Sequence, residues 1–250
     1  MRLPPTYERH TQGAAEIITT HRDAEFVRTA IRSAGSLHSF AARRHDAIAL
    51  AGRGTAYAIA AQNERWVVRH YQRGGAIAGW LGDLYLRGGV TRPEGELVVS
   101  AAARARGIPT PRVAAAVTYA EGAFYRADLA TTYIPDATDL AVLTLGEQAW
   151  ATDLRVAAWR SAGEVLRICF DAGLIHPDLN LKNILVQRTV TGVTAYVIDL
   201  DRARIAQRVS PSQRTRMLAR FDRSRIKIET RTARSVTDEE RHAFVEGLGE

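Results

Sequence analysis

The sequence predicts an α+β chain in two lobes, a small mainly β N-lobe with one main helix and a mainly α C-lobe. Three observations carry this. Residues 46–134 alternate short apolar, β-branched and aromatic runs with glycine and asparagine turns, the pattern of paired strands. A single helix-start signal, Thr91-Arg92-Pro93-Glu94, interrupts them. After residue 135 the pattern turns helical, led by a long periodic run from Thr152. The expected boundaries are an N-terminal extension over 1–45, an N-lobe over 46–134 and a C-lobe over 135–250.

Taken in order, residues 24–34 read as a short helix. Ala47–Leu50, then Gly52-Arg53-Gly54, then Tyr57–Ala60 reads as strand, glycine turn, strand. Gln62-Asn63-Glu64 makes a second turn, and Trp66 to Tyr71 is a third strand rich in aromatic and β-branched residues. The helix opened at Thr91 ends near Gly107, where Pro109 and Pro111 break the chain. Val113–Tyr119 and Phe124–Ile134 are two further strands. In the C-lobe, Val156, Trp159, Gly163, Leu166 and Phe170 fall near helical spacing, and Gly173 stands where a C-terminal glycine belongs. Ile184–Val186 and Ala195–Ile198 are short strands. Helices are expected at about 210–224 and 237–246, the second opened by the Thr237/Glu240 capping box.

Composition bounds the function. Apolar residues make up 46% and charged residues 24% of 250 residues, ordinary for a globular protein with a sizeable core. No run approaches a membrane span, and the N-terminus lacks the apolar core of a signal peptide. The one cysteine, Cys169, excludes an internal disulfide and a cysteine-built metal site. These points favour the cytoplasm. The net charge is +7, carried almost wholly by arginine, since Lys182 and Lys227 are the only lysines. Such a surface attracts phosphates, whether of nucleotide, nucleic acid or anionic lipid. No nucleic-acid motif accompanies it, so no nucleic acid is expected.

The chemistry is concentrated in His176-Pro177-Asp178-Leu179-Asn180-Leu181-Lys182-Asn183, between the long helix and a strand, and in Ile198-Asp199-Leu200-Asp201 beyond it. This is the layout of a kinase catalytic loop, H-x-D-x-x-x-x-N, followed by a metal-binding Asp at a strand end. Phosphoryl transfer needs a positioned nucleophile and neutralised phosphate charge more than covalent help. Asp178 would accept or orient the proton of the attacking hydroxyl. Asn183 and Asp199 offer hard oxygens suited to Mg²⁺, and His176 would support the loop. In the N-lobe, Gly52-Arg53-Gly54-Thr55 is a candidate turn over the ATP phosphates. No lysine precedes Lys182, so Arg69 stands where the usual strand lysine would be, with Glu96 one turn into the next helix as its partner.

Together these segments resemble the lipopolysaccharide kinase family, in particular its members that act on 3-deoxy-D-manno-octulosonic acid (Kdo). The resemblance rests on Gly52-Arg53-Gly54-Thr55, on Arg69-His70-Tyr71-Gln72-Arg73-Gly74-Gly75, on Gly107-Ile108-Pro109-Thr110-Pro111-Arg112, and on His176 to Asn183 with Ile198 to Asp201. It covers residues 46–250 and includes Arg220, Arg223, Ser224 and Lys227. It implies a protein-kinase-like fold, ATP and Mg²⁺, and transfer to the 4-hydroxyl of Kdo on a lipid A precursor. It also implies peripheral contact with anionic lipid at the cytoplasmic face of the inner membrane. Asn180 replaces the lysine that protein Ser/Thr kinases place two residues after the catalytic Asp, and no A-P-E segment follows Asp199; both features argue against a protein acceptor.

Apart from the resemblance, the same residues allow a heptose or other small-molecule kinase of this fold, or a pseudokinase that binds without catalysis. The apolar, aromatic Ala76–Leu86 suits either a lipid-linked acceptor or packing within the fold. The basic residues 214, 216, 220, 223, 225 and 227 read either as a phosphate-facing surface or as a solvated helix side.

Overall fold

The computed structural model describes residues 2–50, 56–72, 82–147, 149–190 and 192–250. They fall into two compact units, residues 1–101 with 111–133, and residues 102–110 with 134–250.

The first unit is an antiparallel sheet. It holds β1 (Tyr7–Gln12), β2 (Ala15–Thr20), β3 (Ile48–Leu50), β4 (Ala56–Ala61), β5 (Glu64–His70), β6 (Tyr85–Leu86), β7 (Val113–Glu121) and β8 (Phe124–Thr132). The order is β1-β2-β7-β8-β5-β4-β3, with β6 pairing the start of β8 beyond the end of β5. Residues 7–43, which no motif covers, supply β1 and β2 as well as α1 (His21–Ala34) and α2 (Leu37–Arg43). Thr20 caps α1 through Asp23 N, and Gly35 ends it at φ 81°, a left-handed turn that glycine takes without strain.

Strand alternation sorts the side chains to two faces. On one face Ile17, Trp66, Val68 and Val117 pack with Val27, Ile31 and Leu37 of α1 and α2. On the other, Ile18, Tyr71, Ala116 and Leu129 pack with Leu97 of α3 (Arg92–Ala105). Ile17 and Ile18 are chain neighbours, yet each belongs to a different core.

The second unit contains β9 (Ala137–Asp139), α4 (Leu140–Leu145), α5 (Thr152–Asp171), β10 (Leu174–Ile175), a 3₁₀ turn (Leu181–Asn183), β11 (Ile184–Thr189), β12 (Gly192–Val197), β13 (Arg204–Ile205), α6 (Pro211–Thr232) and α7 (Asp238–Leu248). Strands pair as β12-β11-β9 and β10-β13, all antiparallel. Trp159 of α5, Phe221 of α6 and Phe244 of α7 form one aromatic cluster, with Phe221 and Phe244 stacked at 5.2 Å. The backbones of α5 and α7 meet through glycine. A Cβ on Gly163 would sit 2.2 Å from Phe244 O, and one on Gly247 would sit 2.1 Å from Arg160 O. Helix α6 is longer than the expected 210–224, because its exposed, polar C-terminal half shows little apolar periodicity. Among the described residues, no helix is long and apolar enough to cross a membrane.

Candidate active site

In the second unit, α5 ends at Gly173, whose φ of 82° turns the chain back. A Cβ there would lie 2.2 Å from Ala206 O, so the turn also needs glycine for space. β10 then delivers His176. This side chain is buried, with Nδ1 accepting from the Asp178 backbone N–H at 3.3 Å and Nε2 3.2 Å from Ile198 O. A carbonyl only accepts, so the proton sits on Nε2 and the ring is held as one neutral tautomer. His176 thereby ties the loop carrying Asp178 to the segment carrying Asp199.

Asn183 completes the knit. Its Nδ2 donates to Asp178 O at 3.0 Å, and its backbone O accepts from Ile198 N at 2.9 Å. Because the Asn183 amide nitrogen donates to a carbonyl, Oδ1 is the acceptor atom of that side chain. Asn180 caps the 3₁₀ turn through Lys182 N at 3.0 Å and donates to Asp178 O at 2.8 Å. Asp199 takes φ 59°, a left-handed conformation uncommon outside glycine. The Asp178 carboxylate is half-exposed and accepts from Arg220 of α6, while Leu181 N donates to Ser224 Oγ at 3.3 Å. Helix α6 thus braces the loop. The sequence names Ser224 only as part of a resemblance and Arg220 also as one of a basic cluster, but 42 residues of separation from Asp178 give no local spacing signal for this contact.

In the first unit, the end of β5 and the residue after it present Arg69 and Tyr71 to one side and His70 to the other, continuing strand periodicity. Arg69 Nη2 donates to both Glu96 oxygens, at 2.6 and 2.5 Å, so the two residues named from sequence as partners are in contact. The Tyr71 hydroxyl donates to the same carboxylate, and the Arg69 guanidinium lies 4.6 Å from the Tyr71 ring centre. Tyr71 was legible as a strand residue but not as a member of this cluster. On the opposite side, His70 Nδ1 is 2.6 Å from Asp128 and Nε2 is 2.8 Å from Asp83. The hydrogen bond to Asp128 holds the His70 imidazole above its ordinary pKa against the opposing effect of burial. Asp128 also accepts from Tyr119 OH and His38 N, both at 2.8 Å.

Gly52, Arg53, Gly54 and Thr55, the Arg73-Gly74-Gly75 end of the 69–75 run, and residues 76–81 of the apolar segment lie outside the described residues. Beyond them Tyr85 is buried and stacks on Tyr125 at 5.6 Å, while Leu86 is exposed.

Against known proteins, the family described as "Lipopolysaccharide kinase (Kdo/WaaP) family" matches residues 38–247. A 3-deoxy-D-manno-octulosonic acid kinase of Vibrio cholerae serotype O1 is 32% identical over 175 residues, 69% of this chain and 70% of that protein. One of the same name from Stenotrophomonas maltophilia (strain R551-3) is 36% identical over 189 residues, 75% of this chain and 71% of that protein. Among solved structures, "WaaP in complex with acyl carrier protein" superposes with a TM-score of 0.57 at 14% identity, covering 93% of this chain and 88% of that one. That likeness concerns the fold alone.

Proposed function

The chain belongs to the lipopolysaccharide kinase (Kdo/WaaP) family, and from that premise we propose that it transfers the γ-phosphate of ATP to the 4-hydroxyl of Kdo on a lipid A precursor. It would do so at the cytoplasmic face of the inner membrane, in peripheral contact with anionic lipid. The observation that carries this reading is the knit of His176, Asp178, Asn183 and Ile198, which joins a half-exposed carboxylate to the Asp199 segment by hydrogen bonds.

In this reading Asp178 receives the hydrogen bond of the acceptor hydroxyl and orients its oxygen for in-line attack. His176, inert as a neutral buried tautomer, keeps Asp178 in place. Asn183 Oδ1 and the Asp199 carboxylate are two hard oxygen donors and fit Mg²⁺. When bound, the ion neutralises charge on the ATP phosphates. Arg69, held by Glu96, supplies the cation that a lysine gives in related folds. Its guanidinium is planar and delocalised, so it would meet the phosphates differently from an ammonium. Gly52-Arg53-Gly54-Thr55 is assigned to the phosphates on sequence alone.

The test is transfer of label from γ-labelled ATP to a Kdo–lipid A precursor, with and without Mg²⁺, beside heptose-lipid, protein and free-sugar acceptors. Metal-dependent labelling of the Kdo lipid alone is expected. Labelling of a heptose lipid in its place, or of no acceptor while ATP still binds, would refute the assignment.

A further inference from the structure

Helix α6 sorts its charges by face. At 100° per residue, Arg216, Arg220, Arg223 and Lys227 fall within an arc of about 60°, and all four are exposed. They make a stripe about 16 Å long at 1.5 Å rise per residue. The helix's only acids, Asp222 and Glu229, lie off this arc. Both are engaged by Arg225, at 2.7 and 2.5 Å, on the opposite side of the helix. Arg214, also opposite, pairs with Glu250 at 2.6 Å and lies over the Phe170 ring. The inward cations are therefore neutralised within the fold. On the stripe, among the described residues, Arg220 is paired, with Asp178.

A helix side holding four cations and no acid is electrostatically incomplete. It repels itself until an anion arrives. Its position narrows the choice of anion, because the stripe includes the residue that touches the proposed base. An acceptor whose sugar reaches Asp178 would lay its adjoining anionic groups along α6. Exposed Ile226 beside the cations offers apolar contact to the same ligand. We propose that this face is the acceptor-binding surface, and that Arg216, Arg223 and Lys227 hold phosphate groups borne by the glycolipid acceptor itself. Arg220 then passes from Asp178 to that ligand, freeing the carboxylate for the hydroxyl. The inference rests on the function proposed above for the identity of the acceptor, but not for the existence of the surface.

The test separates the two. The intact chain and the triple variant Arg216→Gln/Arg223→Gln/Lys227→Gln are titrated, without ATP, with neutral detergent micelles. The micelles carry a Kdo–lipid A precursor either with its phosphates or with them removed, and vesicles of anionic phospholipid without acceptor are titrated in parallel. Each cation near an anionic surface contributes about fivefold, so the triple variant should bind the phosphorylated lipid about 100-fold more weakly. Both proteins should bind the dephosphorylated lipid alike, and Arg216→Lys/Arg223→Lys should retain binding. In the transfer assay, KM for the acceptor should rise by a similar factor while KM for ATP stays unchanged.

Equal binding of the phosphorylated lipid by parent and triple variant would overturn the proposal. So would an equal loss toward the dephosphorylated lipid. Loss of binding only to vesicles of anionic phospholipid, with acceptor binding intact, would assign the stripe to bulk headgroups and also overturn it. Phosphate-dependent binding without any transfer by the parent would refute the proposed reaction and leave the surface standing.

Discussion

Substituting Asp128 tests whether the buried network beside the Arg69 cluster holds the first unit together. Asp128 is fully buried on β8 and accepts from three donors, His70 Nδ1, Tyr119 OH and His38 N. The His38 N–H belongs to the first turn of α2, where helix N–H groups have no partner within the helix. Leu37 N, from the same turn, donates to Tyr119 OH, which in turn donates to Asp128. One carboxylate thus ties a sheet strand to the start of α2. Asp128→Ala would leave three donors without an acceptor and His70 with Asp83 alone. Each donor stranded in the interior costs about 1–3 kcal/mol, and removing one side of a buried ion pair costs about 3–5 kcal/mol. These overlap, so the expected loss is about 4 kcal/mol. Asp128→Asn keeps the shape and one acceptor oxygen but turns a donor toward donors, for about 2 kcal/mol. Urea unfolding at pH 7, followed by far-ultraviolet circular dichroism, reads both. A loss under about 1 kcal/mol for the alanine variant would mean that water or α2 movement replaces the carboxylate, and the argument fails.

The same network gives a pH dependence. His70 titrates above its ordinary value of 6.5 in the folded state, so its contribution to stability is complete below about pH 6.5 and is lost as pH rises through the folded value. The stability gap between the parent and His70→Gln should therefore shrink from pH 6.5 upward. A gap that widens would reverse the assigned sign. Asp178→Ala and Asp199→Ala should each reduce transfer by at least about 1,000-fold with melting temperatures near the parent's, and full activity in either would sink the site assignment. Arg69→Lys can restore the contact to Glu96 but not the guanidinium over Tyr71, so kcat/KM for ATP should fall about 10- to 100-fold. An unchanged value would show that a point charge suffices there.

The parts of this protein that read easily are those whose physics is local. Asp178, Asn183 and Asp199 sit within one loop and one strand end, so their placement could be read from a short stretch of contiguous chain. Gly173 could be placed because a helix end demands a left-handed residue. The Arg69–Glu96 contact followed from asking what replaces an absent lysine. Three features resisted. β1 is polar and half-exposed, so Tyr7–Gln12 carries almost no period-2 signal although it pairs fully with β2. The partnership of Asp128 with α2 spans 90 residues, and a buried carboxylate looks like any other in a sequence. The basic residues of α6 were visible as a cluster. Which of them are neutralised within the fold followed only once the structure paired Arg225 with Asp222 and Glu229, and Arg214 with Glu250.

The glycine contact between α5 and α7 bears on how this chain can vary. A crowded side chain can be relieved by shrinking its neighbour. At Gly163 and Gly247 the atoms in the way are main-chain atoms, Phe244 O and Arg160 O, and these are present whatever residue occupies those positions. A larger residue at either site therefore needs the two helix backbones to move apart, which trimming one neighbouring side chain does not supply. The last helix is seated by a main-chain contact that has to be kept at both glycines.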